Sequence, residues 1–504
     1  MKKASLFAIF CLLSIVSYPQ STEADLGSLD AYIEQARRDW KVPGLAVAIV
    51  KDGEVLHAKG YGVRSLKTGE PVTEETLFAM ASTTKAMTAA ALAMLVDEGK
   101  VDWDDPVVKH LPQFRLEDPY ITSDLRVRDL LTHNTGIGNA DFLWWKTDLS
   151  SEEILDRMQY AETAYPLRGG YTYQNIMYLA AGELIGRVSG MPWDEFIFKR
   201  IMVPLNMSRS TPLRRLAEEK ENRSTPHDYV NDEIQPIVNT NADRIGPAGS
   251  GWSCVADMAR WMNFLLDSAR VDDTRLISAE NFSELFSPQI VIPKNQFYPT
   301  SQLTQPFWTT YALGWFQHDY REHAVSFHTG SLGGTVAICG LLPEQRLGVY
   351  VFGNLDHTEL RHAIMYKVFD TFTGRTDGRD WSAEFLNLYH DLHAKSETAQ
   401  EEKWAKRKKG TSRSLPLKAY TGTYQDPFYG TVEVALVENQ LHARLSAGLQ
   451  VTLRHWHFDT FRGSFNLAWL EDDLFSFELN ENGEVSVFRR RDISWKKLDE
   501  EKEK

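Results

Sequence analysis

The chain has 504 residues and a mass of 57.5 kDa, with 55 Lys and Arg against 69 Asp and Glu, a formal net charge of -14. At 43% apolar and 25% charged residues it has the composition of a globular protein with more than one core, which excludes a mostly disordered chain and a multi-span membrane protein. The acidic balance, with no basic domain to offset it, also argues against nucleic acid as a partner.

Lys2 and Lys3 precede an apolar run over residues 6–16, and Thr22-Glu23-Ala24 follows as a small-residue site. This reads as a secretory signal cleaved near Ala24, which makes the mature protein secreted or periplasmic. As a helix the run spans about 16 Å, too short for a stable membrane anchor. Beyond Cys11 in that leader, the cysteines are Cys254 and Cys339, both in apolar company, so small buried hydrophobes are expected and a disulfide-built scaffold is excluded.

Residues 29–40 read as a helix ended by Pro43-Gly44. Strands over 45–50 and 55–62 flank the turn Lys51-Asp52-Gly53-Glu54, a hairpin that buries Ala46, Ala48 and Val50. Helices are expected over 83–98, 176–188 and 193–202. A second strand set follows much later at 325–328, 335–342 and 347–352, and then a helix at 357–370. Joining the distant strands in one antiparallel sheet, covered by helices and carrying an inserted helical region, buries every apolar face. Residues 376–414 are polar and read as a partly helical linker. From 415 to 500 short alternating stretches at 431–437, 441–445, 474–479 and 485–489 predict a separate all-β domain. The expected organisation is therefore a leader over 1–24, an α/β (α+β) unit over 25–375, the linker, and the β domain.

Three stretches carry chemistry. The whole stretch Phe78 to Val96 reads as one long helix with almost no charge, and Lys85 is the exception. A helix places Ser82 and Lys85 one turn apart on the same face, so the amine can reach the hydroxyl, and burial disfavours the ammonium. Ser-x-x-Lys recurs at Ser494 to Lys497, but on a predicted strand, where positions i and i+3 face opposite sides. The second stretch is Gly169-Gly170-Tyr171-Thr172-Tyr173-Gln174-Asn175, just before an apolar helix. There the Tyr173 phenol can relay a proton to a leaving group, and the Asn175 amide can hold Lys85 and an acyl carbonyl. The third is His328-Thr329-Gly330-Ser331-Leu332-Gly333-Gly334 at a strand edge. Its small residues leave room for substrate along Thr329 and Gly330, and the backbone N–H near Ser331 can pair with that of Ser82 as an oxyanion hole. A neutral His328 is expected to hydrogen-bond to Tyr173.

These motifs, in this order, resemble the serine beta-lactamase-like superfamily, in the branch of class C beta-lactamases, D-alanyl-D-alanine carboxypeptidases, D-aminopeptidases and related esterases grouped as peptidase family S12. The stretches Leu130 to Gly136 and Pro247 to Trp252 share in the likeness, which covers about residues 28–372. It implies a beta-lactamase/transpeptidase-like fold, with Ser82 as the acylated nucleophile and Lys85 as its base partner. It also implies that Tyr173 and Asn175 form the second motif, that His328, Thr329 and Gly330 form the third, and that the oxyanion amide follows at Ser331. His133 is read as a loop organiser. The C-terminal segment, with Tyr420 to Tyr424 and His455 to Phe461, resembles a domain of unknown function that follows such hydrolases, and a lipocalin-like barrel is expected.

His328 stands where many relatives carry a Lys. A mostly neutral imidazole offers less to a substrate carboxylate. The favoured expectation is a secreted serine hydrolase acting through a Ser82 acyl-enzyme on a small peptide, amide or ester. Beta-lactam or cell-wall peptide hydrolysis and a non-catalytic scaffold on the same fold are the alternatives. No cofactor and no metal are expected, since His455 and His457 lack a third ligand at a characteristic spacing. Oligomerisation is left open.

Overall fold

The computed structural model describes residues 25–374 and 378–498, and the leader read over 1–24 lies outside the described residues. An eight-stranded antiparallel sheet organises the first unit. Its strands are β1 (Gly44–Lys51), β2 (Glu54–Gly62), β3 (Ile290–Val291), β4 (Thr309–Tyr311), β5 (Phe316–Tyr320), β6 (His323–Leu332), β7 (Thr335–Leu342) and β8 (Leu347–Gly353), in spatial order β2-β1-β8-β7-β6-β5-β4-β3. The N-terminal hairpin therefore pairs with the last strand, Leu45 opposite Gly353 and Lys51 opposite Leu347, as burial of both strand sets requires.

Every residue from Gly44 to Val50 is buried, because β1 is covered on both faces. Leu45, Val47 and Ile49 join the core shared with α1 (Leu26–Asp39) and with the later helix Leu360–Phe372. Ala46, Ala48 and Val50 face the other way, against the helix Val255–Leu266, in the core that also holds α2 (Thr84–Asp97) and α3 (Asn175–Ser189). Alternation with period two thus feeds two layers from one strand. Cys254 and Cys339 are buried free thiols.

The helix expected to run unbroken from Phe78 is divided. Phe78–Ala79 form a short strand against Trp252–Ser253, Ala81–Thr83 make a 3-10 turn, and α2 starts only at Thr84. The break sits at Ala81, whose φ of 48° lies in the left-handed region, a conformation that costs an L-residue about 1–2 kcal/mol.

After a 25-residue helix, Trp381–Ala405, eight further strands between Gly422 and Lys497 close into a barrel. Tyr420, Tyr424, Phe461, Phe475, Phe477, Phe488 and Trp495 fill its interior, as an eight-stranded barrel of this width permits. The barrel is distinct from the sheet unit, and its aromatic filling supports no finer comparison with ligand-holding lipocalins. Among the described residues no helix is long and apolar enough to cross a membrane.

Candidate active site

Ser82 occupies the 3-10 turn at the head of α2 and is half-buried, while the residues on either side of it are buried. The turn is fixed from two sides. The Met80 N–H donates to Gly251 O at 2.7 Å and the Gly251 N–H to Thr84 Oγ1 at 3.2 Å, while the Thr83 hydroxyl hydrogen-bonds with Tyr350 of β8 at 2.6 Å. The Pro247 to Trp252 stretch is therefore the wall behind the turn. It packs closely on α3 at Gly182, where a Cβ would come within 2.0 Å of Pro247 Cγ, so only glycine fits.

Lys85, one turn on, is fully buried. Its ammonium nitrogen lies 3.1 Å from Ser82 Oγ and donates to Asn175 Oδ1 at 2.7 Å and Ala248 O at 2.8 Å. The rings of Tyr173 and Tyr178 stand 4.9 and 5.1 Å from it. Burial pulls its pKa down to about 7, opposed by the carboxylate of Asp141. The amine is thus partly unprotonated at neutral pH and next to a hydroxyl, the condition for a general base.

Tyr173 and Asn175 come to Lys85 from the end of the Gly-rich loop. Asn175 opens α3, and Tyr173 lies in the segment just before it. Burial lifts the phenol pKa well above its ordinary value, partly offset by a hydrogen bond with Ser82, so Tyr173 stays protonated and can only donate near neutral pH. His133 organises this loop. Its Nδ1 accepts the Gln174 N–H at 3.0 Å, its carbonyl accepts the Thr172 N–H at 2.9 Å, and its ring lies 4.1 Å from that of Tyr173.

The third stretch reaches the nucleophile through backbone. A Cβ on Gly330 would lie 2.3 Å from Met80 O and 3.0 Å from Ser82 N, so β6 abuts the Ser82 turn directly. Leu332 pairs with Thr335 across the two-residue turn Gly333-Gly334, and Ser331 with Val336. The closing pair of such a hairpin exchanges both backbone bonds, so at the next pair the Ser331 N–H points away from β7. Thr329 is buried with its hydroxyl bonded to Tyr298, and Ser331 Oγ accepts from Arg361 at 2.9 Å.

His328 departs from expectation. Its Nε2 pairs with Tyr311 OH at 2.9 Å and its Nδ1 with Thr329 O at 2.7 Å, while its ring is 6.3 Å from Tyr173. The hydrogen bond goes to Tyr311 because that phenol, on β4, lies across the sheet from it, whereas Tyr173 turns toward Ser82. Burial, reinforced by Lys85, holds the imidazole down to about 3, so it is neutral.

Sequence reasoning missed Asp141, Tyr178 and Tyr311. Asp141 Oδ1 accepts from Asn175 Nδ2 at 2.9 Å and from Trp144 Nε1 at 2.8 Å. A lone carboxylate in the aromatic run Phe142-Leu143-Trp144-Trp145 was the available signal. Tyr178 lies one helical turn after Asn175, so its facing Lys85 follows from the helix period. Tyr311 left no local mark. Among the described residues no three His, Cys, Asp or Glu side chains gather as for a metal. His455 and His457 bond to backbone, at Phe458 O and Lys408 N.

Comparison with known proteins agrees with this arrangement. Residues 29–369 match the family described as Beta-lactamase, and residues 406–502 match a domain of unknown function, DUF3471. The chain is 28% identical over 483 residues to the Unguisins hydrolase ungD of Aspergillus violaceofuscus, covering 89% of this chain and 83% of that protein. It is 25% identical over 337 residues to Protein flp of Staphylococcus aureus, covering 65% and 63%. Among solved structures, the octameric penicillin-binding protein homologue from Pyrococcus abyssi superposes with a TM-score of 0.62 at 22% identity, covering 94% of this chain and 99% of that one. SurE superposes with a TM-score of 0.56 at 17% identity over the same shares. Because the first match runs through the whole sheet-and-helix unit that holds Ser82, Lys85, Tyr173 and His328, the chain belongs to the beta-lactamase family, within the beta-lactamase-like serine-hydrolase superfamily, and carries a separate C-terminal β domain.

Proposed function

We propose that the protein is a secreted or periplasmic serine hydrolase that cleaves an amide, peptide or ester bond of a small substrate through a Ser82 acyl-enzyme. One observation carries the reading: a fully buried Lys85 with its nitrogen 3.1 Å from Ser82 Oγ. In this account Lys85 takes the Ser82 proton as Oγ attacks the carbonyl carbon. The negative charge on the carbonyl oxygen is met by the backbone N–H groups of Ser82 and Ser331. The Tyr173 phenol gives its proton to the departing amine or alcohol and recovers one from Lys85. Water, deprotonated by the freed Lys85 amine, then attacks the acyl carbon, and the proton passes to Ser82 Oγ as the ester bond breaks.

His328 shapes the substrate class. Both its nitrogens are engaged and it is neutral, so it brings no cation to a substrate carboxylate. That favours substrates without an obligatory carboxylate over beta-lactams or terminal D-alanine. The hydrolase name of the Aspergillus relative supports hydrolysis as the reaction class.

The test is a panel of D- and L-aminoacyl amides, short peptides, p-nitrophenyl esters and a chromogenic beta-lactam, assayed with wild-type and Ser82→Ala protein. The expected result is turnover of at least one amide, peptide or ester that disappears in the variant. Equal turnover in both proteins would remove Ser82 as nucleophile.

A further inference from the structure

Residues 137–147 touch the Lys85 partners on one side and the C-terminal barrel on the other. On the inner side, the Gln174 side-chain amide donates to Ile137 O at 3.0 Å and Asn175 Nδ2 donates to Asp141. Since an amide has one acceptor, committing the Asn175 nitrogen to Asp141 leaves its oxygen to face Lys85. A flipped amide would set donor against donor. On the outer side, the Phe142 ring stands 5.8 Å from Tyr429 and 6.4 Å from Trp495 of the barrel, in an edge-on and a tilted contact. Lys146 O accepts both the Ser446 hydroxyl at 2.5 Å and the Gly448 N–H at 3.2 Å. Trp145 packs on the hydrolase core and on the barrel core together. The segment is therefore pinned at both faces within a few residues.

We infer that Asp141 is a positioning residue for Lys85, acting through Asn175, and that the barrel's grip on Phe142 and Lys146 holds Asp141 in place. The inference rests on the proposed role of Lys85 as proton acceptor. It gives the barrel a part in setting the base, although no barrel residue need touch substrate. The other titratable groups around Lys85 are Tyr173 and Tyr178, whose phenols burial raises, and His133 and His328, whose imidazoles burial lowers. All four are neutral near pH 7, so the carboxylate is the charge that acts there.

The experiment uses the full chain as wild type, Asp141→Asn, Phe142→Ala and the double variant. Two quantities are followed against pH: the Lys85 titration by 13C NMR of labelled lysine, assigned with Lys85→Arg, and the rate at which a fluorophosphonate modifies Ser82. Losing the carboxylate removes attraction for the ammonium, so the Lys85 midpoint and the acid limb of labelling move down by about one unit in Asp141→Asn. Phe142→Ala moves both the same way by less, and adds nothing in the double variant, because both substitutions act through one contact. Midpoints in Phe142→Ala that match wild type, or shifts that add in the double variant, overturn the link. If Phe142→Ala does not fold, Ser446→Ala removes one barrel contact to Lys146 and is judged by the same criteria. Absence of labelling in the wild type would instead sink the hydrolase reading, and the NMR titration would still decide the link.

Discussion

Ser-x-x-Lys occurs twice in this chain, and the two copies share nothing but spelling. At Ser82 the pattern crosses a 3-10 turn into a helix, and Lys85 folds back to the hydroxyl in a place with no solvent. At Ser494 it lies on the last barrel strand, Ile493–Lys497, where Ser494 pairs with Arg489 and the Lys497 amine donates to Ala419 O at 2.9 Å. Local conformation decides whether two side chains meet, and burial decides whether the amine is a base.

The comparison breaks most sharply at the hydroxyl. Ser82→Ala should lower turnover and fluorophosphonate labelling by roughly 10³-fold or more, whereas Ser494→Ala should leave both unchanged. Next in size is the amine. Lys85→Met should cost about 10²–10⁴-fold in kcat/KM while Lys497→Met stays at the wild-type rate. A smaller loss, about 10²-fold, is expected for Tyr173→Phe, with the acid limb of its pH profile still near pH 7, because the raised phenol does not titrate there. A limb that moved with this substitution would assign the titration to Tyr173 in place of Lys85.

The smallest effect is on stability. His318, held down to about 4 by burial, and His328, held to about 3, stay neutral in the folded chain as pH falls, while in the unfolded chain they protonate below about 6.5. The unfolded state then binds more protons, so stability falls with pH from about 6.5 downward, by at most about 1.4 kcal/mol per pH unit for each imidazole. Urea midpoints between pH 7 and 4.5 measure this, and a His318→Gln variant that folds should show a shallower fall.

Much of the first unit was legible because its strands are runs of apolar residues that nothing but a shared sheet can bury. That reasoning joined the two distant strand sets in one antiparallel sheet, and which strands meet, β1 with β8, is seen only in the structure. It carried no information on the break at Ala81, since backbone sign is set by the packing of Gly251 and Gly330 around the turn. The barrel strands Gly422–Asp426, Leu449–His457 and Thr460–Phe465 were not delimited. In Leu449–His457 the bulge between His455 and His457 interrupts the alternation from which a strand is read. The helix Trp381–Ala405 read as linker because burial reaches only Trp381, Ser382 and Phe385, so its sequence shows no apolar stripe. At the site, residue types gave Ser82, Lys85, Tyr173 and Asn175. Tyr311 and Asp141 depend on tertiary approach, and no spacing announces them.

The most direct measurement is the rate of Ser82 acylation by a fluorophosphonate from pH 5 to 9, with the labelled peptide identified by mass spectrometry. If a buried, half-protonated Lys85 accepts the serine proton, the rate rises as a single sigmoid centred near pH 7 and levels off above it. A rate independent of pH across that range, or label found on any serine other than Ser82, would contradict the account.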